Sequence, residues 1–259
     1  MLDNDAYSSP APVMAKGLSA EQTLKSAIVH GVLKPGEILS EARLCDEFAI
    51  GRGAVRTALQ RLQSSGLVTS AARSGWSVTP ISAAEIREVV AGRRALERLL
   101  ASAVISDVDH TTIGRLCDMY GALHGRIDPM LDLQATLRRA ERDLLLLLAA
   151  RLNMPTLSGW LMDLWDRSAR LVNFFEARSS VKMRGADRAA LGACLLAGDR
   201  EGAERHIAAA IDQLEAYLAA RFLESSAVLD AAATRRRSSG KSKTPNADHK
   251  PNQDQTRTN

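Results

Sequence analysis

Arg52 and Arg56 stand one helical turn apart, directly after Gly51, in the stretch GRGAVRTALQRLQSSGLV at residues 51–68. Val55, Leu59 and Leu62 follow the i, i+4, i+7 spacing of a helix with a single apolar stripe, and both arginines fall on the opposite face. The forked donors of a guanidinium match O6 and N7 of guanine together. Arginines in the first turns of a helix are therefore suited to reading guanine in a major groove. Gly51 and Gly53 have no side chain to keep the helix start away from a phosphate, and a helix N-terminus itself favours an anion. The chemistry these four residues point to is recognition of duplex DNA.

Elements on either side have the spacing needed to present that helix. Ser19 with Gln22 forms a capping box, and Leu24, Ile28 and Val29 carry a first helix to a stop at Gly31. A turn at Lys34-Pro35-Gly36 follows. Ser40 caps a short second helix whose inner face carries Leu44 and Phe48. After a break at Ile50-Gly51 comes the arginine-bearing third helix, closed by Gly66. Leu67-Val68-Thr69 and Trp76-Ser77-Val78 flank a glycine-containing turn and predict a small hairpin. Gly75, beside Arg73 at its tip, suits a wing lying close to DNA. Three short helices and a hairpin make a winged helix-turn-helix, in which the second helix of the motif enters the groove. Pro80 marks its end.

Ser82 and Glu85 open a second segment with another capping box. From residue 83 to about 223 the patterns are helical throughout, predicting an all-α bundle of six or seven helices. Leu144 to Leu148 are apolar on every face, as in a central helix. Leu157, Trp160, Leu161, Leu164, Trp165, Val172 and Phe175 form a long stripe, whose helical spacing favours plain packing over a ligand pocket. The fold class is mainly α. Residues 1–15 form a disordered N-terminus, 16–80 a winged helix-turn-helix with a small hairpin, 81–225 an all-α effector-binding and dimerisation domain, and 226–259 a disordered basic tail.

The 259 residues are 46% apolar and 4% aromatic, with a formal net charge of +4. From Ala233 onward seven cations face two acids, so the rest of the chain is about neutral and the case for DNA rests on placement. The tail could add affinity for phosphates without adding sequence preference. Cys45, Cys117 and Cys194 lie far apart with no metal-binding spacing, which fits a reduced, cytoplasmic chain. No signal peptide is visible and the apolar run at 144–148 is too short to span a bilayer, so no membrane partner is expected. Nor is there a nucleophile–base constellation, a phosphate loop or a metal set, so an enzyme is not expected.

The run AIVHGVLKPGEILSEARLCDEFAIGRGAVRTALQRLQSSGLVTSAARSGWSV resembles the DNA-binding domain of the GntR family over about sixty residues. The resemblance lies in the opening AI..G.L.PGE.L.E..L, the recognition helix R..VR.AL.RL...GLV and the wing G..V. The following ISAAEIREVVAGRRALERLLA resembles the first helix of the FadR subfamily's C-terminal domain, of the FCD type. The resemblance implies a homodimeric regulator, usually a repressor of a metabolic operon, bound to a short palindromic operator and released by a small carboxylate. It maps Arg52 and Arg56 to base- or phosphate-contacting arginines and Gly75 to the wing glycine. Arg43 adjoins Ala42, where many members carry a DNA-touching arginine. Gly51 stands where they carry Ser or Thr.

Most of that subfamily hold a divalent metal, through an Asp and a His four residues apart, a second His opening a later helix and a third further on. Aligned on Asn153-Met154-Pro155 and Ala197-Gly198-Asp199, those positions fall on Ala140, Leu144, Arg188 and Ala210, none a ligand for such a cation. No metal or other cofactor is expected. A fixed guanidinium can take a carboxylate by two parallel hydrogen bonds, which makes Arg188 a candidate effector contact; the resemblance adds Arg93, where the family has an arginine, and Asn153 completes the candidate set. The alternative for Arg188 is pairing with Asp187 or Glu141. The alternative for the whole bundle is an effector-independent repressor in which it serves only to dimerise.

Overall fold

The computed structural model describes residues 19–71, 75–124 and 131–239. Both halves of the first capping box are made: the Ser19 hydroxyl accepts from the Gln22 amide at 3.2 Å and the Ser19 amide donates to Gln22 Oε1 at 3.1 Å. They start α1 (Ala20–Val29). Ser40 accepts from the Arg43 amide at the head of α2 (Glu41–Phe48), and α3 runs Arg52–Ser64. Gly66, at φ +73°, turns the chain out of α3 in a conformation that glycine adopts without strain.

The expected hairpin has a third strand. β1 (Ile38–Leu39) pairs antiparallel with β3 (Gly75–Val78), which pairs antiparallel with β2 (Val68–Ala71), giving the order β1-β3-β2. Val68 faces Val78 and Ala71 faces Gly75. Two residues are too few for β1 to show an alternating pattern. Leu24 and Ile28 of α1, Leu44 and Phe48 of α2, and Val55, Leu59 and Leu62 of α3 close with Leu67, Val68 and Val78 into one core. Each fully buried Leu or Val contributes about 1.5–3 kcal/mol. That burial fixes which way α3 turns its opposite face.

The remainder is helical. It comprises α4 (Ala83–Leu96) running into a 3-10 turn at Glu97–Ser102, α5 (Asp107–His124), α6 (Leu131–Arg151), α7 (Pro155–Glu176), α8 (Arg188–Leu196) and α9 (Arg200–Ser239). Its core joins Leu100, Ile113, Leu144, Leu148, Leu161, Trp165, Leu191 and Ile207. On α7 the buried stripe is Leu157, Leu161, Trp165, Ser168, Val172 and Phe175, and Trp160 is 59% exposed. Five residues from Trp165, Trp160 points about 140° away from it, at 100° per residue. The second capping box is made in one direction. The Ser82 hydroxyl accepts from the Glu85 amide at 3.1 Å, but a Glu85 carboxylate oxygen accepts from Arg170 at 2.5 Å.

The boundary expected at residue 80 separates two cores but not two compact units: Met1–Ala220 is one unit and Arg221–Asn259 another. Helix α9 continues past the boundary expected at 225, because the following AVLDAAATRRR is rich in strong helix formers. The expected disordered N-terminus at 1–15, and the tail beyond residue 239, lie outside the described residues.

Candidate nucleic-acid interface and anion cavity

Arg52 is the first residue of α3, with Gly51 as its N-cap making no side-chain cap, and Gly53 follows; all three are exposed. Arg56 is exposed on the same face. Its Nε and Nη2 donate to the two oxygens of Glu41 at 3.2 and 2.9 Å. Trp76 Nε1, from β3, donates to Glu41 Oε1 at 3.3 Å. The hydrogen bonds from Arg56 are the main reason the Glu41 carboxyl is held below its ordinary value. Glu41 thereby joins the start of α2, the exposed face of α3 that carries Arg56, and the sheet. Arg43, one turn into α2, is held by Glu37 and lies 3.5 Å from Glu47. Gly75 is exposed at φ +72° at the start of β3. Arg73 lies outside the described residues.

Residues 16–78 match the bacterial regulatory proteins of the gntR family. The head is a GntR-family helix-turn-helix domain. Over 108 residues, 42% of the chain, the protein is 32% identical to the HTH-type transcriptional regulator YdhC of Bacillus subtilis, and the match spans 47% of that relative, less than half its length. The HTH-type transcriptional regulator McbR of Escherichia coli is 26% identical over 76% of this chain and 89% of its own. The solved structure of E. coli McbR superposes with a TM-score of 0.63 over 78% of this chain and 96% of its own, at 22% identity. The GntR head and the helical part behind it thus share that structure's fold.

Helix α7 fastens the GntR head to the bundle. Lys25 Nζ of α1 lies 2.8 Å from Asp166. Arg167 donates to the carbonyl of Ser65, the C-cap of α3. Arg170 donates to the carbonyl of Thr79, at the end of the sheet, and Asn173 Nδ2 to that of Val29, at the end of α1, at 3.0 Å. Residues 163, 166, 167, 170 and 173 recur at three- and four-residue steps and therefore share one face of α7.

Trp165, Ser168 and Val172 line a cavity of about 110 Å³, closed on another side by Arg138, Glu141 and Arg142 of α6, with Arg93 of α4 and Asn173 in its wall. Every arginine here has an internal acid. Arg93 grips buried Glu97 through two 2.9 Å hydrogen bonds, and Trp165 Nε1 donates to the same carboxylate at 2.9 Å. Burial opposes the charge on Glu97, but Arg93, the field of Arg188 and the indole N–H outweigh it and hold the carboxyl below its ordinary value. Arg138 pairs with Glu176, and Arg142 pairs with Asp166 at 2.7 Å while lying 5.5 Å from the Trp165 ring centre.

Of the three residues expected to meet an effector, Arg93 lines the cavity. Arg188 is buried at the start of α8 and reaches the cavity through Glu141, to which its Nε donates at 2.9 Å. Burial works against its charge too, and Glu141 with Glu97 more than offsets it, raising the guanidinium. Asn153 lies elsewhere, exposed in the turn between α6 and α7 at φ +53°, a left-handed conformation Asn tolerates better than most side chains.

The positions aligned with metal ligands also sit off the cavity. Ala140 packs with Tyr120 and Leu137, and Leu144 with the main core. Glu141 and Leu145, one residue on, line the cavity instead, and one residue is about 100° of helix. Ala210 is buried outside it. Among the described residues no three His, Cys, Asp or Glu side chains gather as a ligand set, and no helix is long and apolar enough to cross a membrane. Lys25, Arg138, Arg142 and Asp166 were not anticipated from the sequence. The i, i+4 pair of arginines on α6 was the available signal.

Proposed function

We propose that this protein is a DNA-binding transcriptional regulator, a homodimer that represses a metabolic operon by reading a short palindrome, and that a small organic acid in the α6–α7 cavity controls it. Arg52 and Arg56, exposed on α3, support the DNA reading. Two copies related by a two-fold axis would set their α3 helices in successive major-groove turns. The observation that carries the regulatory part is the double role of α7. Asn173 walls the cavity and also holds Val29 of the head. A ligand altering that wall shifts the population of head orientations competent for a fixed half-site spacing.

A second reading has its own support. Arg93, Arg138, Arg142 and Arg188 are each already paired with an internal acid, so the helical part could act without an effector, as a dimerisation module. One experiment separates the two. Full-length protein selects duplexes from a random pool, and the selected duplex is then titrated with protein while small mono- and dicarboxylates are added. Selective binding of a palindrome supports the regulator. Release by a carboxylate supports the effector, and indifference to all of them supports the dimerisation module. Failure to enrich any sequence defeats both.

A further inference from the structure

Asp166 faces the cavity's cation and the head's cation at once. Its Oδ1 accepts from Arg142 at 2.7 Å and its Oδ2 lies 2.8 Å from Lys25 Nζ. Arg142 is in the cavity wall and Lys25 is on α1 of the head, so one unit of negative charge is shared between two cations on different cores. Asp163 relieves the sharing only in part. It lies 3.8 Å from Lys25, and its own Oδ2 accepts from Arg167 at 2.7 Å. Lys25, Arg142 and Arg167 thus surround two carboxylates, a cluster one anion short of balance.

The sharing has a sign. Lys25 and Arg142 repel each other across a single carboxylate, so whatever neutralises one strengthens the hold on the other. All three side chains are about a quarter exposed, so solvent screens the effect without abolishing it.

We propose that Asp166 transmits the charge state of the cavity to the head. An anion seated against Arg142 takes over that guanidinium, and Asp166, left to Lys25, holds α1 more tightly to α7. The proposal rests on reading the cavity as an anion site, and its test separates the two.

Hydrogen exchange of the α1 amides in the full-length protein reads the docking of the head. Arg142→Gln removes the competing cation and slows that exchange about two- to fivefold, the size expected of a partly exposed pair. Lys25→Gln speeds it, and in the Lys25→Gln background Arg142→Gln has no effect. Asp166→Asn speeds exchange and likewise silences Arg142→Gln. Circular dichroism melts confirm that each variant folds. Exchange that is unchanged or faster in Arg142→Gln, or an equal effect in both backgrounds, overturns the proposal. Malonate supplies the anion arm. Calorimetric binding to the wild type together with slower α1 exchange supports the proposal, and binding with unchanged exchange overturns it. If malonate does not bind, the anion-site reading loses its support, and the substitution cycle by itself decides the role of Asp166.

Discussion

Arg56 grips Glu41 with two nitrogens, at 3.2 and 2.9 Å, although both belong to the helices that would face DNA. On the proposed DNA-bound arrangement, such an acid repels the phosphates, yet it also fixes the guanidinium proposed to read a base. Glu41→Gln separates these effects. Affinity for duplex of random sequence rises as the repulsion goes, while discrimination between the selected duplex and one altered at the Arg56 step falls. Arg56→Ala loses that discrimination outright, by about 1–3 kcal/mol. Fluorescence anisotropy at fixed salt measures both. An unchanged ratio of specific to non-specific affinity in Arg56→Ala would remove Arg56 from the reading face.

Arg170 is buried between Glu85, at 2.5 Å, and the Thr79 carbonyl, where the head passes into α4. Arg170→Met strands the Glu85 carboxylate and costs about 3–5 kcal/mol. Glu85 Oε2 and Arg170 Nε already lack hydrogen-bond partners, so the pair is not fully satisfied. The double variant Arg170→Met, Glu85→Leu therefore recovers most of the loss. Urea midpoints of the four proteins test this. A double variant no more stable than Arg170→Met shows that the pair's value lies in the Thr79 contact instead.

The head was legible in the sequence because each of its elements is short and closed by local signals. Ser19, Ser40, Gly51 and Gly66 act within a turn of where they stand. The third strand was not, because Ile38 and Leu39 owe their pairing to β3, almost forty residues away. The cavity was harder for the same reason. Arg93 and Arg188 were legible as arginines facing a presumed pocket. Which acid each would meet, Glu97 or Glu141, is decided by how α4, α6 and α8 pack, and a turn of one residue along α6 separates Ala140, packed off the cavity, from Glu141 in its wall. Asn153 stands in a left-handed turn away from the cavity, a placement set by the α6–α7 connection and not visible in the residue type.

Glu97 adds a pH dependence. Its folded carboxyl is held below the ordinary value of 4.5 by Arg93, Arg188 and Trp165 acting against burial. A depressed carboxyl contributes stability that is present above its unfolded value and lost as pH falls through the folded one. The wild type therefore loses this contribution progressively below about pH 4.5. Glu97→Gln, less stable at pH 7, narrows its gap to the wild type as the medium is acidified. Urea midpoints at pH 7, 5 and 4 follow the gap. A gap that widens toward acid would mean that Glu97 is protonated in the fold.

Gly192 of α8 lies where a Cβ would stand 2.1 Å from Cys117 Sγ and 3.3 Å from Ile113 Cγ2 of α5. The two helices approach at this point because one side chain is missing, and the thiol fills the space. Gly192→Ala forces them apart and costs about 1–3 kcal/mol, the usual penalty for overpacking, despite the better helix propensity of alanine. Cys117→Ala removes the sulfur that the new methyl would strike. In the Gly192→Ala background it raises the melting temperature, whereas in the wild type it lowers it by opening a small void. This reversal of sign is the measurement that matters. The same direction in both backgrounds would show that the α5–α8 spacing is set elsewhere, since a methyl and a thiol competing for one volume must be coupled.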